Sequence, residues 1–257
     1  MRNLWLKVRS VVLWTITGTY FFLVGAVLVF LGLLVDPRKN DWPQRVFFRN
    51  ILRLAGARFA VRRSPGFDAK RTSLFICNHV NIFDPFVIYS AIPQFVRGFE
   101  LESHFRVPVY GWMMGWFGNI PVPDIPSREG LEIMSKRAKA ALDADISLIA
   151  FAEGSRTRDG HVKEFKRGIF TIAQRFGVPI VPVSIVGSYQ FFRTGNWILY
   201  PGKITVYLHD TIDTSAVQRS SPEDLRRRVQ EIVAAPVEGS MKEMDESSVA
   251  VPRSKTL

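Results

Sequence analysis

From Val11 to Val35 the chain runs 25 residues without a charge, VVLWTITGTYFFLVGAVLVFLGLLV. As a helix this reaches roughly 37 Å, against a hydrocarbon core of about 30 Å. The run is too long for a signal-peptide core and no A-x-A-like cleavage site follows, so it predicts a membrane-embedded segment. Gly18, Gly25 and Gly32 would let it bend, leaving open a single span or a re-entrant hairpin. A basic amphipathic connector follows near Trp42–Leu54, and then strand-like and helix-like stretches alternate. Arg58–Arg62, Ser73–Cys77, Phe95–Phe99, Ile146–Ala152, Ile180–Val186 and Ile204–Leu208 read as strands. Helices are expected from Asp84 to Ala91, Arg128 to Leu142 and Phe165 to Phe176, the last stopping at a left-handed Gly177. Val109–Phe117 is an aromatic helix or loop, and Ser221-Pro222-Glu223-Asp224 opens a final helix with a cap, a first-turn proline and acids at its positive end.

This alternation predicts an α/β fold, a single layered domain with a mixed central sheet flanked by helices, preceded by the membrane-embedded helical segment. The expected division is a membrane segment over residues 1–56, the α/β domain over 57–235, and a small, polar, disordered tail over 236–257.

Composition narrows the class. Of 257 residues 47% are hydrophobic, enough for one packed core. The net charge of +11 suits a polyanionic partner, and cations flank the apolar run at Arg2, Lys7 and Arg9 and more densely at Arg38, Lys39, Arg45, Arg49, Arg53 and Arg58. A membrane surface fits that placement better than nucleic acid, for which no recognition signature is present. The same bias puts the domain on the cytoplasmic face of the membrane. The single cysteine, Cys77, sits in an apolar strand and permits neither an intrachain disulfide nor a four-cysteine metal site.

Two segments carry chemistry. In Phe75-Ile76-Cys77-Asn78-His79-Val80-Asn81-Ile82-Phe83-Asp84-Pro85 an apolar strand ends and a histidine and an aspartate follow around a helix start. A neutral imidazole can take the proton of an attacking hydroxyl while a carboxylate on its other nitrogen fixes the tautomer. Asp84 before Pro85 is equally a helix N-cap, and His79 could be a core histidine. In Glu153-Gly154-Ser155-Arg156 a glycine allows a tight turn, a hydroxyl is offered, and a guanidinium presents a fork for phosphate oxygens, with Lys166 and Arg167 nearby. A solvated loop has the same composition.

Together the two segments resemble the glycerophosphate and lysophosphatidate (1-acylglycerol-3-phosphate) acyltransferase family, whose hallmark is a histidine, four residues and an aspartate, then a Glu-Gly-Thr/Ser-Arg turn some seventy residues on. Phe151-Ala152, Phe165-Lys166-Arg167-Gly168 and Val178–Ser184 also resemble the family pattern. The resemblance implies an O-acyltransferase in phospholipid biosynthesis or remodelling, with His79 and Asp84 catalytic and Glu153, Gly154, Ser155 and Arg156 binding the acceptor phosphate. It implies acyl-CoA or an acyl-carrier-protein thioester as co-substrate, membrane lipids as partners, no cofactor, no metal, and no obligate protein partner. Gly118, Ile120, Arg128 and Lys166 are further candidates for substrate binding. The family's second motif is altered here to Gly118-Asn119-Ile120-Pro121-Val122-Pro123-Asp124, with the next arginine only at Arg128, which points to a lysophospholipid with a headgroup other than that of lysophosphatidate, or to another lipid hydroxyl. Val109–Phe117 could line an acyl slot, dip into the bilayer or simply fill the core. Two rivals remain at this point: a metal-dependent hydrolase using His79 and Asp84, and a non-catalytic membrane-tethered lipid-binding protein.

Overall fold

The apolar run forms one unbroken helix, α1 (Arg2–Gly32), which begins nine residues before the uncharged stretch does. The structure, a computed structural model, describes residues 2–36, 41–214 and 221–249; Arg38 and Lys39 therefore lie outside the described residues. α1 runs through Gly18 and Gly25 without a break. Two of them serve packing instead: Gly25 and Gly32 lie two turns apart on one face, against Met113 and Trp116. A Cβ on Gly32 would fall 1.6 Å from a Trp116 ring carbon, and the Trp116 indole donates to the Gly32 carbonyl at 2.7 Å. At the other end the Arg9 guanidinium donates to Leu199 O at 2.6 Å and the Trp14 indole to Trp197 O at 2.7 Å. α1 thus lies along the domain, with Leu28 buried beneath it and Leu4, Phe22, Leu23 and Phe30 exposed on its outer face. It is long and apolar enough to cross a membrane.

The sheet has seven strands in the order β1-β7-β6-β2-β5-β3-β4. These are β1 (Ala57–Arg63), β2 (Leu74–Cys77), β3 (Val96–Leu101), β4 (Ile120–Val122), β5 (Ser147–Phe151), β6 (Ile180–Val186) and β7 (Gly202–Leu208). Every neighbouring pair is parallel except β6 with β7, so the sheet is mixed. β4 sits at the edge, the place where Pro121, with no N–H to give, is tolerated.

Side chains alternate across the central strands and divide the core into two layers. Phe75 and Cys77 face a layer built with α1, α2 (Trp42–Leu54), α3 (Asp84–Ala91) and α4 (Tyr110–Trp116). Leu74 and Ile76 face the opposite layer, built with α5 (Arg128–Asp143), α6 (Gly168–Phe176) and α8 (Pro222–Val249). A short helix, α7 (Ser188–Phe191), follows β6. In α4, Met113 and Phe117 behind it are fully buried while Trp112 is exposed, so the aromatic segment is shared between core and surface.

Two expectations fail. α6 starts at Gly168 and not at Phe165, because the Phe165 N–H is taken by Gln230 and the Lys166 N–H by Ala152 O. The tail expected to be disordered from Pro236 instead continues α8 to Val249; residues 250–257 lie outside the described residues. An internal proline costs a helix about 3 kcal/mol. Leu225, Val229, Val233, Val237 and Met241, spaced by four, all bury against the domain and outweigh that cost at roughly 1.5–3 kcal/mol for each fully buried large side chain.

Candidate active site

β2, β5 and β6 run side by side and parallel, and the chain leaving the carboxyl end of each contributes to one crevice, where open α/β sheets commonly bind ligands. After β2, Asn78 is stapled to β6: its amide donates to Ile185 O at 3.1 Å and its oxygen accepts the Ile185 N–H at 2.7 Å. His79 then turns its ring flat against Phe151 of β5, at 4.1 Å between centroids and 21° between planes. Its side chain retains 18% exposure, and Nδ1 lies 2.9 Å from Oδ2 of the fully buried Asp84.

Asp84 does not cap α3 with its side chain. It is the first residue of the helix, no side-chain cap bond is made there, and the carboxylate turns back over the preceding loop. Oδ2 accepts the Val80 N–H and, at 2.8 Å, the Asn81 N–H; Oδ1 accepts the Ser188 hydroxyl at 2.6 Å. The local turn is made by Asn81, whose side-chain oxygen accepts the Phe83 N–H at 2.9 Å and whose amide reaches Ser188 and Phe192 carbonyls. A carboxylate ringed by donors can only accept, so the proton on the imidazole belongs on Nδ1, leaving a lone pair on Nε2.

The second segment leaves β5 and folds over the first. Ala152 N–H donates to Cys77 O at 3.2 Å, and Thr157 N–H to His79 O at 2.9 Å. Glu153 links the two: Oε1 accepts the His79 N–H at 2.7 Å and Oε2 the Lys163 N–H at 3.1 Å. Burial pushes the Glu153 carboxyl up to about 7, against the pull of those two N–H bonds. Gly154 follows at φ +70°, the left-handed turn that favours glycine. Ser155 and Arg156 are exposed; Lys163 Nζ donates to the Ser155 hydroxyl at 2.6 Å and to Arg156 O at 3.1 Å. The Arg156 guanidinium has no ion pair among the described residues. Burial and then Glu100 raise the Tyr110 hydroxyl pKa, and the Arg156 charge opposes them.

The expected site residues thus separate. His79, Asp84 and Glu153 meet; Gly154, Ser155 and Arg156 form the outer turn. Glu153 departs from direct phosphate binding, since its carboxyl is sealed against two backbone N–H groups. Lys166 is exposed beside Gly154. Arg128 opens α5 after the Ser127 cap, at the surface. Ile120 is 3% exposed inside the core, away from any substrate, whereas Gly118 is an exposed left-handed turn beside the buried Arg97. Asp124 is occupied in accepting the Ser103 N–H and hydroxyl. Asn78 and Asn81 join the site as well, and two amides at the end of an apolar strand are the sequence signal for them. Ser188 has no such signal, because only the pairing of β6 with β2 brings it near. Among the described residues no three His, Cys, Asp or Glu side chains converge where a metal ion could sit.

The family model described as Acyltransferase matches residues 58–186, a stretch that contains both segments. The chloroplastic 1-acyl-sn-glycerol-3-phosphate acyltransferase BAT2 of Brassica napus is 31% identical over 140 residues, 54% of this chain and 40% of its own length. A 1-acyl-sn-glycerol-3-phosphate acyltransferase of Haemophilus influenzae is 28% identical over 160 residues, 62% of this chain and 66% of its own. The chain spans about two fifths of the plant relatives BAT2 and LPAT1 that it matches. The crystal structure of the 1-acyl-sn-glycerophosphate (LPA) acyltransferase PlsC from Thermotoga maritima has the same fold, with a TM-score of 0.77 at 24% identity over 93% of this chain and 97% of that one.

Proposed function

Because this chain belongs to the acyltransferase family, we propose that it is a membrane-bound O-acyltransferase that moves a fatty acyl group from a thioester to the hydroxyl of a lysophospholipid. The observation that carries the reading is that two segments 74 residues apart converge on His79, Asp84 on its ring and Glu153 on its backbone N–H. His79 Nε2 takes the proton of the acceptor hydroxyl as its oxygen attacks the thioester carbonyl. Asp84 balances the imidazolium that forms. The tetrahedral intermediate collapses with cleavage of the carbon–sulfur bond; the imidazolium returns the proton to the departing sulfur, leaving an ester and a free thiol. No acyl-enzyme is required. Cys77, fully buried with its pKa raised by burial and by Asp84, is poorly suited to being a nucleophile.

Arg156, with Ser155 and Lys163 beside it, holds the acceptor phosphate. Glu153 acts one step back, fixing the His79 backbone and the Lys163 backbone at once. The names of the relatives support a glycerophosphate-type acceptor, and acyl-CoA or acyl carrier protein is the donor.

α1 serves as the membrane element. Docked at Arg9, Trp14 and Gly32, it would carry the polar domain into hydrocarbon if it crossed the bilayer alone, so a helix lying in one leaflet with its outer apolar face in lipid is the favoured arrangement. The domain then sits on the cytoplasmic face, where its cations meet anionic headgroups.

The test is acyl transfer by the purified protein in mixed micelles, with labelled acyl-CoA and acyl-carrier-protein donors and a panel of lysolipids. His79→Ala is expected to abolish turnover while the protein stays folded, and Arg156→Ala to raise the acceptor KM. Wild-type protein that transfers nothing from either donor would sink the proposal.

A further inference from the structure

The loop from Ala152 to Arg167 has no helix or strand of its own, yet it carries Arg156 and Lys163. Its backbone is gripped from two sides. On the crevice side Glu153 accepts the Lys163 N–H. On the far side α8 supplies the partners, although it lies beyond the stretch matched by the family. Glu238 Oε1 accepts the Val162 N–H at 2.9 Å, and Oε2 meets His161 Nδ1 at 2.6 Å. About two turns earlier in α8, Gln230 Oε1 accepts the Phe165 N–H at 3.0 Å. Just before them in the loop Gly160, at φ +92°, packs so closely that a Cβ would come within 2.8 Å of Met241 in α8 and 2.7 Å of Tyr189.

We propose that α8 is a clamp on the acceptor-binding loop and that Glu238 is a positioning residue for the transfer reaction. The proposal rests on the reading of Arg156 given above. Two consecutive amides, Val162 and Lys163, are held by carboxylates from opposite sides, Glu238 from α8 and Glu153 from the crevice. Lys163 in turn reaches back to Ser155 and to the Arg156 carbonyl. Releasing Val162 therefore loosens the turn that aims the guanidinium. The His161–Glu238 ion pair is half-exposed, 49% and 40%, and contributes little as a charge pair. The backbone bond to Val162 is what fixes the loop, because no ladder bond replaces it.

Glu238→Ala is expected to raise the acceptor KM roughly fivefold to tenfold, the size of one lost directional hydrogen bond. kcat and the thioester KM should stay within about twofold, a split that general destabilisation would not give. Glu238→Gln keeps an oxygen for the Val162 N–H and should recover most of the loss. Hydrogen exchange supplies a readout independent of turnover: amides from Gly154 to Phe165 should exchange faster in Glu238→Ala, with β2 and β5 unchanged. Equal exchange overturns the clamp whatever the activity. An acceptor KM that rises in Arg156→Ala but not in Glu238→Ala overturns the positioning role and leaves the site reading standing. An unchanged KM in Arg156→Ala overturns the site reading, and faster exchange in Glu238→Ala then still establishes the clamp.

Discussion

Asp84→Asn separates charge from shape at the centre of the site. In the wild type Oδ2 faces three donors, His79 Nδ1 and the Val80 and Asn81 N–H groups, and Oδ1 faces the Ser188 hydroxyl. An asparagine must place its oxygen where Oδ2 was, because an NH2 cannot face two backbone donors. Its nitrogen then meets Ser188 Oγ, which can accept once its own hydrogen turns away. The ring keeps its tautomer, and only the negative charge disappears. For charge centres about 4 Å apart at an effective dielectric near 20, that charge stabilises an imidazolium by about 4 kcal/mol. At about 1.4 kcal/mol per decade, kcat should fall by on the order of a thousandfold. Were Asp84 only a holder of the ring, the change from a charge-assisted to a neutral hydrogen bond would amount to about 1 kcal/mol, or roughly fivefold. The assay is initial rate at saturating donor and acceptor, with thermal unfolding to confirm that the fold survives. A folded Asp84→Asn protein with less than about a tenfold loss would refute the electrostatic role argued from this geometry.

Glu153 should leave a signature in stability. Its carboxyl is raised from 4.5 to about 7 by burial, so the stability gained by holding the proton is complete below about 4.5 and lost as pH rises through 7. The melting temperature of wild type should fall across that window relative to Glu153→Gln, which does not titrate; parallel curves would contradict the assignment. Gly32→Ala drives a methyl into the Trp116 ring and should destabilise the protein by about 1–3 kcal/mol, read as thermal unfolding in detergent followed by tryptophan fluorescence. No change there would mean that the end of α1 is not seated on α4.

Much of this protein is dictated locally. Uncharged length marks α1, apolar runs between turn residues mark β2, β5 and β6, and Gly177, at φ +63°, ends α6 where the sequence says it must. The meeting of His79 with Asp84 is legible for the same reason: a histidine and an aspartate follow the end of one apolar strand. What the chain does not reveal locally is which groups will be enclosed together. Glu153 reads as part of a phosphate-binding turn, but the parallel pairing of β2 with β5 brings it under His79 and shuts it from water. Ser188 becomes a partner of Asp84 only because β6 lies on the other flank of β2. Pro236 is a local stop signal overruled by a stripe of buried valines, and the glycines of α1, open to a bend, become seats for Met113 and Trp116. Local propensities are worth a kilocalorie or so per residue, whereas burying an apolar side chain or leaving a carboxylate without donors costs several times that, so the tertiary contacts decide wherever the two disagree.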